Sequence, residues 1–176
     1  SFALNDVYAN TATLTTGDAI TSNAGKDQII TGLLTTSSVT GTQIGEGFDS
    51  GSNFGSINAT NTTSGDIVLY QSGTTALVDG INQTGGNLLI SNTSDIGQTG
   101  AIIVSGTSSF TSSQSFTNII LDNIGNELTG AVSMSAGGVG TLYNSIALTL
   151  GTITSRFGAT TLSGVGVTQT GNINQI

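Results

Sequence analysis

The sequence predicts an all-β fold, a parallel β-helix (β-solenoid) in which short strands coil and stack on one another. Three observations carry this prediction. Apolar residues alternate over short runs with a period of two and show no helical period. These runs recur at near-regular intervals. Asp79-Gly80 is the one Asn-Gly or Asp-Gly dipeptide, whereas an antiparallel meander of 176 residues would use several in its hairpins.

The clearest alternation lies in residues 100–151. Four apolar pairs there have members two positions apart, namely Ile102/Val104, Ile119/Leu121, Val132/Met134 and Ile146/Leu148. This spacing places both side chains of a pair on one face of a strand, so we expect Ile102, Ile119, Val132 and Ile146 to point inward. The first members lie 17, 13 and 14 positions apart, which indicates an imprecise repeat.

Composition supports strands over helices and order over disorder. Pro, Cys, Trp and His are absent, charged residues make up 7% and hydrophobic residues 36%. A disordered chain is typically richer in charge and poorer in aliphatic residues. Thr, Val and Ile are common while Lys, Glu, Gln and Arg are scarce, which favours strands. No break in composition divides the chain, so residues 1–176 are predicted to form a single domain.

The strand-like runs from residue 65 onward are too closely spaced for crossover helices, so a βαβ architecture fails. A β-sandwich or jelly-roll, as in a pilin-like subunit, remains the alternative to the solenoid. At about 20 residues per coil the solenoid would have roughly nine coils and a length of roughly 40 Å. Glycines cluster in residues 41–63, where we expect an irregular layer or a loop.

Residues 101–171 resemble the repeats of filamentous-haemagglutinin-like adhesins that Gram-negative bacteria secrete. The segments that resemble those repeats are LDNIGNELTGAVSM at 121–134, SIALTLGTIT at 145–154 and GVTQTG at 166–171. The resemblance implies a right-handed parallel β-helix that is displayed at the cell surface or released. The chain departs from that family in lacking the Asn-Pro motifs of its secretion domain, so the resemblance implies a piece of a longer rod or a short relative.

Charge and residue types limit the function classes. A net charge of −8 repels phosphate backbones, so neither nucleic-acid binding nor insertion into an anionic membrane is expected. With no His or Cys, and with Lys26 and Arg156 as the basic residues, the usual catalytic constellations cannot be assembled. We therefore expect no enzyme, no catalytic residue, no cofactor and an extracellular or cell-surface location.

Three sets of residues are candidate sites. The oxygen-rich cluster of Asp122, Asn123, Asn126 and Glu127 could bind Ca²⁺, but corner residues that hydrogen-bond the backbone and stack between coils are the better interpretation, and no metal site is predicted. Four glycosylation sequons begin at Asn58, Asn61, Asn82 and Asn92. The phenylalanines, at 2, 48, 54, 110, 116 and 157, are expected to be core or loop anchors rather than sugar-stacking platforms.

Three functions remain as hypotheses. The first is a structural or adhesive protein of a bacterial surface or extracellular filament, which associates head to tail with copies of itself because an open coil leaves strand edges unpaired. The second is a module that binds surface glycans or host receptors. The third is a pilin-like subunit that donates residues 1–16 as a strand to its neighbour.

Overall fold

The computed structural model describes residues 1–46 and 51–176, and in these ranges it contains strands and turns but no helix. The strands are β1 (Phe2–Leu4), β2 (Val7–Ala9), β3 (Ala12–Thr15), β4 (Ile20–Ser22), β5 (Gln28–Ser38), β6 (Thr42–Ile44), β7 (Asn53–Asn61), β8 (Ile67–Gln71), β9 (Ala76–Gln83), β10 (Leu88–Asn92), β11 (Ile96–Gln98), β12 (Ile102–Val104), β13 (Ser108–Ser112), β14 (Ile119–Leu121), β15 (Glu127–Leu128), β16 (Val132–Ala136), β17 (Gly140–Tyr143), β18 (Leu148–Ser155), β19 (Thr160–Ser163), β20 (Val167–Gln169) and β21 (Ile173–Gln175).

The strands form two parallel sheets. The first has the order β1-β4-β6-β8-β10-β13-β16-β18-β20, with β21 also paired to β18. The second runs β19-β17-β14-β11-β9-β7-β5-β2, and β3, β12 and β15 join it at its sides. Each strand pairs with the strand one coil away, which makes a β-solenoid of about 8 turns. The sandwich or jelly-roll alternative is wrong, because it requires antiparallel pairs.

Each coil contains up to three strand segments, and the longest strands supply two of them. β9 pairs with β11 through Ala76–Val78 and with β12 through Ile81–Gln83. β18 likewise pairs with β20 through its first half and with β21 through its second half. Residues stacked in register lie from 18 positions apart, as for Phe2 and Ile20, to 25 apart, as for Thr42 and Ile67. Part of this variation arises inside the strands, where the register shifts between Ile30 and Leu33 of β5 and between Val132 and Met134 of β16.

One hydrophobic core runs through the stack. In most strands alternate residues point inward, and apolar residues lie above one another from coil to coil, as Leu69, Ile90 and Phe110 do. Of the four predicted apolar pairs, Ile102/Val104, Ile119/Leu121 and Val132/Met134 are fully buried. The prediction is wrong for Ile146, which is half-buried and precedes β18. The inward pair is Leu148/Leu150, because the strand begins two residues later than the pattern predicts.

The glycine-rich segment 41–63 is more regular than the sequence predicts. β6 and β7 occupy most of the residues of this segment that the structure describes. Residues 47–50 are not among the described residues. In β7, Phe54, Ile57 and Ala59 point into the core. The sequence does not show this alternation as an apolar pattern, because polar residues such as Asn61 also occupy inward positions. Gly55 interrupts the pattern as well, since a side chain there would collide with the carbonyl oxygen of Thr31 in the neighbouring coil.

Polar side chains line part of the interior and satisfy backbone groups where the chain turns. Those that are fully or almost fully buried include Gln28, Asn61, Gln71, Gln83, Asn92, Asn126 and Asn144. The Asn61 amide donates to the carbonyl oxygens of Ser64 and Gly65 at 2.8 and 2.9 Å, and to Oε1 of Gln83 at 2.8 Å. A buried amide needs such partners, so these side chains fix the corners from inside the core.

Candidate functional site

A strained turn between β13 and β14 projects Phe116 into solvent. The backbone N–H of Thr117 donates to the carbonyl oxygen of Gln114 at 3.4 Å, which closes a four-residue turn. Phe116 is the third residue of this turn and has φ of 66°, a conformation that normally selects Gly or Asn. The side chain is 71% exposed. The sequence thus holds a bulky ring outward at a position where Phe is conformationally unfavourable.

A second exposed ring lies against the first. Phe157, in the turn between β18 and β19, is 57% exposed, and its ring stacks on that of Phe116 with centroids 4.6 Å apart and planes inclined by 29°. The turn between β16 and β17 lies between them in the stack and carries Gly137 and Gly138. A Cβ at Gly138 would meet Oδ1 of Asn118 at 2.5 Å and the carbonyl oxygen of Phe116 at 2.9 Å. The two glycines allow rings from turns two coils apart to meet.

A basic residue and several hydroxyl groups adjoin the rings. Arg156 directly precedes Phe157 and is exposed. Its side chain lines a groove of about 190 Å³ together with Thr111, Ser113 and Ser135, among others. Arg156 also borders a cavity of about 360 Å³ beside Phe157 and Ile176. We name the set Phe116, Phe157 and Arg156 the aromatic patch.

The other basic side chain is already paired. Nζ of Lys26 lies 3.3 Å from Oδ2 of Asp6. The Asp27 backbone N–H donates to the other oxygen of Asp6 at 3.0 Å, and this bond, with a smaller contribution from Lys26, lowers the pKa of Asp6. Within the described ranges no carboxylate lies within ion-pair distance of Arg156. In the part of the chain that the structure describes, Arg156 therefore has no ion-pair partner.

At each end of the stack, inward positions are open to solvent. At one end, Phe2 lies in register with the fully buried Ile20 but is 47% exposed. At the other, Val167 and Ile173 lie in register with buried residues of β18 and are 51% and 46% exposed. Within the part of the chain that the structure describes, β19, β20 and β21 have a strand partner on one side.

The oxygen-rich cluster is separated by the fold. Asn126 is fully buried, and its amide donates to the carbonyl oxygens of Leu121 and Tyr143 at 3.2 and 3.1 Å. Asp122 and Glu127 instead point to solvent. Among the described residues no three His, Cys, Asp or Glu side chains are close enough to hold a metal ion. The interpretation of Asn126 as a corner residue that hydrogen-bonds the backbone is confirmed.

The four sequons differ in access. Asn61 and Asn92 are fully buried, and their amide groups donate to carbonyl oxygens of the turns. Asn58 is half-buried, and Asn82 is exposed on β9. A glycosylating enzyme could therefore reach Asn82 in the folded chain but not Asn61 or Asn92.

A cavity of about 410 Å³ in the described part of the chain carries no charged group. It is lined by Ile29, Ile30, Thr31, Asn53, Gly55, Thr74 and Thr75. Nothing in that lining suits acid–base or nucleophilic chemistry. In residues 1–46 and 51–176, no helix is long and apolar enough to cross a membrane.

Comparison with known proteins assigns a family. No curated protein and no solved structure matches the chain. A family model described as repeats of unknown function (DUF5649) matches residues 1–135, which extend from β1 into β16. The match covers more than half of the chain, and its description as repeats agrees with the stacked coils. The chain therefore belongs to the DUF5649 repeat family.

Proposed function

We propose that the chain is a non-enzymatic structural or adhesive β-solenoid of a bacterial cell surface or extracellular filament, and that it associates with copies of itself end to end. The observation that carries this proposal is the repetition of one coil, which we call a layer, through the stack. At both ends of the stack, inward positions are open to solvent. Val167 and Ile173 at one end, and Phe2 at the other, are apolar side chains that a further layer would cover.

The open layers favour a copy of the chain as the partner. All strands run parallel, so a second molecule in the same orientation presents its first layer to the last layer of the first. Its backbone would then complete the hydrogen bonds that β19 and β20 make on one side. Because the two ends are different surfaces, such a contact is heterologous and continues into a filament rather than closing a dimer.

Sequence supports the remaining parts of the proposal. The resemblance of residues 101–171 to filamentous-haemagglutinin-like repeats favours a surface or secreted adhesive role. The lack of His and Cys favours a non-catalytic one. Among the described residues no three Asp or Glu side chains are close enough to hold a metal ion, whereas an enzyme that cuts acidic polysaccharides needs a cluster of carboxylates.

Sedimentation velocity over a range of concentrations tests the association. We expect the unmodified chain to form larger species as its concentration rises, and Val167→Lys to remain monomeric, because the new charge would be buried at the contact. The matched control is Ile103→Lys, which places the same charge on a 40% exposed side chain in the middle of the stack. This variant should associate like the unmodified chain.

Two results would overturn the proposal. A chain that stays monomeric at high concentration, by sedimentation and by negative-stain microscopy, has no end-to-end association. Cleavage of any member of a panel of polysaccharides would contradict the non-enzymatic assignment. Circular dichroism of both lysine variants shows whether a loss of association reflects the end surface or a loss of folding.

A further inference from the structure

We propose that the cavity formed by β5, β7 and the turn before β9 binds an uncharged saccharide. The cavity measures about 410 Å³, within the size range of small-ligand sites, and its lining includes Ile29, Thr31, Asn53, Thr74 and Thr75. It lies on the outward side of the second sheet, where β5, β7 and β9 each have strand partners on both sides. The site is therefore on the flank of the stack, away from both ends and separate from the proposed end-to-end association.

A β-bulge and a glycine shape the cavity. β5 has one residue more than β7 between Ile30 and Leu33, where the register of the two strands shifts. Beside this bulge lies Gly55, which is exposed and where a Cβ would approach the carbonyl oxygen of Thr31 to 2.5 Å. The missing side chain allows the close approach of the two backbones and leaves the sheet uncovered at this point. Bulges redirect side chains and are frequent beside active sites.

A buried glutamine orients an amide in the cavity wall. Gln71 is 1% exposed, and its Nε2 donates to Oδ1 of Asn53 at 3.2 Å and to the carbonyl oxygen of Phe54 at 3.1 Å. The Thr74 hydroxyl donates to the same oxygen of Asn53 at 2.6 Å. The Nδ2 group of Asn53 donates to no acceptor in the described ranges. The interior of the stack thus holds a hydrogen-bond donor ready at the cavity wall.

Hydroxyl and apolar groups complete the lining. The Thr31 hydroxyl donates to Oδ1 of Asn10 at 3.1 Å, so its lone pairs can accept a hydrogen bond from a ligand. The Thr75 side chain is exposed and has no hydrogen-bond partner in the part of the chain that the structure describes. Ile29 and the threonine methyl groups add apolar surface. A few directed polar groups on an apolar surface are typical of small-ligand sites.

This lining disfavours charged, apolar and peptide ligands. No ionisable side chain belongs to the described lining, so an ion would find no countercharge there. An apolar ligand would cover the Asn53 amide and the Thr75 hydroxyl without bonding to them, which is unfavourable. A peptide that adds as a strand needs an unpaired strand edge, which β5, β7 and β9 do not offer. An uncharged saccharide fits, because its C–H groups can cover Ile29 while its hydroxyls both donate and accept.

Isothermal titration with oligosaccharides tests the ligand class. The probes are three neutral sugars, namely cellotriose, triacetylchitotriose and the methyl ester of trigalacturonic acid, and one charged counterpart, free trigalacturonic acid. We expect at least one neutral probe to bind. The free acid should bind about tenfold or more weakly than that probe, which corresponds to about 1.4 kcal/mol.

Conservative substitutions test the residues. Asn53→Asp keeps an oxygen that accepts hydrogen bonds from inside the stack but replaces the donor group, so it should weaken binding about tenfold or more. Thr75→Val has nearly the same shape and removes a hydroxyl that has no described partner, so it should weaken binding without lowering the thermal midpoint. Asn82→Asp and Thr60→Val make the same changes outside the cavity and should bind like the unmodified chain.

Three results would contradict the inference. These are no binding of any neutral probe, tighter binding of the free acid than of every neutral probe, or equal binding by Asn53→Asp and Asn82→Asp. Sedimentation of the unmodified chain tests the end-to-end association separately. A chain that stays monomeric but binds a neutral probe loses the association and keeps the saccharide site, whereas a chain that associates but binds no probe keeps the association alone.

Discussion

The amide of Asn126 holds together three neighbouring coils. Its Oδ1 accepts hydrogen bonds from the Ile102 backbone N–H at 2.9 Å and from the Gln98 amide at 2.8 Å. Its Nδ2 donates to Oε1 of Gln98 and to two backbone carbonyls, so no polar atom of the side chain is left over. The residue is fully buried, so these hydrogen bonds lie in the interior of the stack.

Asn126→Ala is expected to lower the free energy of unfolding by about 2 kcal/mol or more, because it leaves buried donors and acceptors without partners. Urea denaturation followed by circular dichroism measures the change. Asn82→Ala, at an exposed asparagine of β9, is the control and should stay within about 0.5 kcal/mol of the unmodified chain. Equal effects of the two substitutions would contradict the assigned role.

The lowered pKa of Asp6 predicts how the stability of the folded chain depends on pH. Its pKa in the folded chain is lowered from 3.8 by the hydrogen bond from the Asp27 backbone and by Lys26. A carboxylate with a lowered pKa stabilises the folded state above its unfolded pKa, and this stabilisation disappears as the pH falls through the folded pKa. Asp6→Asn should therefore be less stable than the unmodified chain near pH 7, and the difference should shrink as the pH falls through the folded pKa of Asp6. A difference that grows on acidification would contradict this assignment.

The sequence predicts the roles of some residues but not the contacts between residues of different coils. Asn126 could be foreseen as a corner residue because Asn favours turns and bonds to nearby backbone. Its partner Gln98 could not, since the two lie 28 positions apart and coil lengths vary. The pairing of Phe116 with Phe157 was missed for the same reason. The signal that could have found it is the Gly137-Gly138 pair, which leaves room between two turns.

Within an element, adjacent residues of the same kind have opposite environments. On β12, Ile102 is fully buried while Ile103 is 40% exposed, and Ile103 pairs with Glu127 on β15. A strand alternates its side chains between the two faces of a sheet, so these neighbours differ in environment but not in chemistry. The pair is a direct test of which face lies inward.

Ile102→Lys should lower the free energy of unfolding by roughly 3 kcal/mol or more, because an ammonium group would be buried without a partner. Ile103→Lys should change it by no more than about 0.5 kcal/mol, since the new charge lies in solvent opposite Glu127. Thermal and urea denaturation of both variants measure the difference. If Ile102→Lys were harmless, the solenoid interior would be wrongly assigned.

Strand positions were predictable for three of the four apolar pairs, those in β12, β14 and β16. Strand positions were not predictable where amides or hydroxyls point into the interior. A polar residue is expected to be exposed unless its hydrogen-bond partner in another coil is known. β7 is the example, since Asn61 at its end is as buried as Ile57. The start of β18 was misplaced because Ile146 has the correct spacing but lies in the preceding turn.

For the whole molecule, the unit of folding is the layer. The predicted coil of about 20 residues is close to the observed registers, and roughly nine coils were expected where about 8 are present. The intervals of 17, 13 and 14 do not measure the coil, because the apolar pairs fall in different segments of it. Each layer contacts its two neighbours, so stability should be close to a sum over layers.

Removing one whole layer should leave a folded protein. Leu88 and Ser108 are stacked in register, so deletion of residues 88–107 places Ser108 directly on Ile67. We expect cooperative unfolding, an unchanged strand signal in circular dichroism, and a rod shorter by about 4.8 Å in small-angle X-ray scattering. Deletion of residues 88–97 removes half a layer and should unfold the chain. Similar behaviour of the two variants would refute the layer as the unit.

The variable coil length has a further consequence for the dimensions of the molecule. The 18 residues from Phe2 to Ile20 and the 25 from Thr42 to Ile67 advance the stack by the same single step. The length of the rod is therefore counted in complete circuits and is independent of the number of residues in each circuit. Insertions in a turn change only the cross-section of the rod. Its length can change only in increments of one strand spacing, as in a molecular ruler.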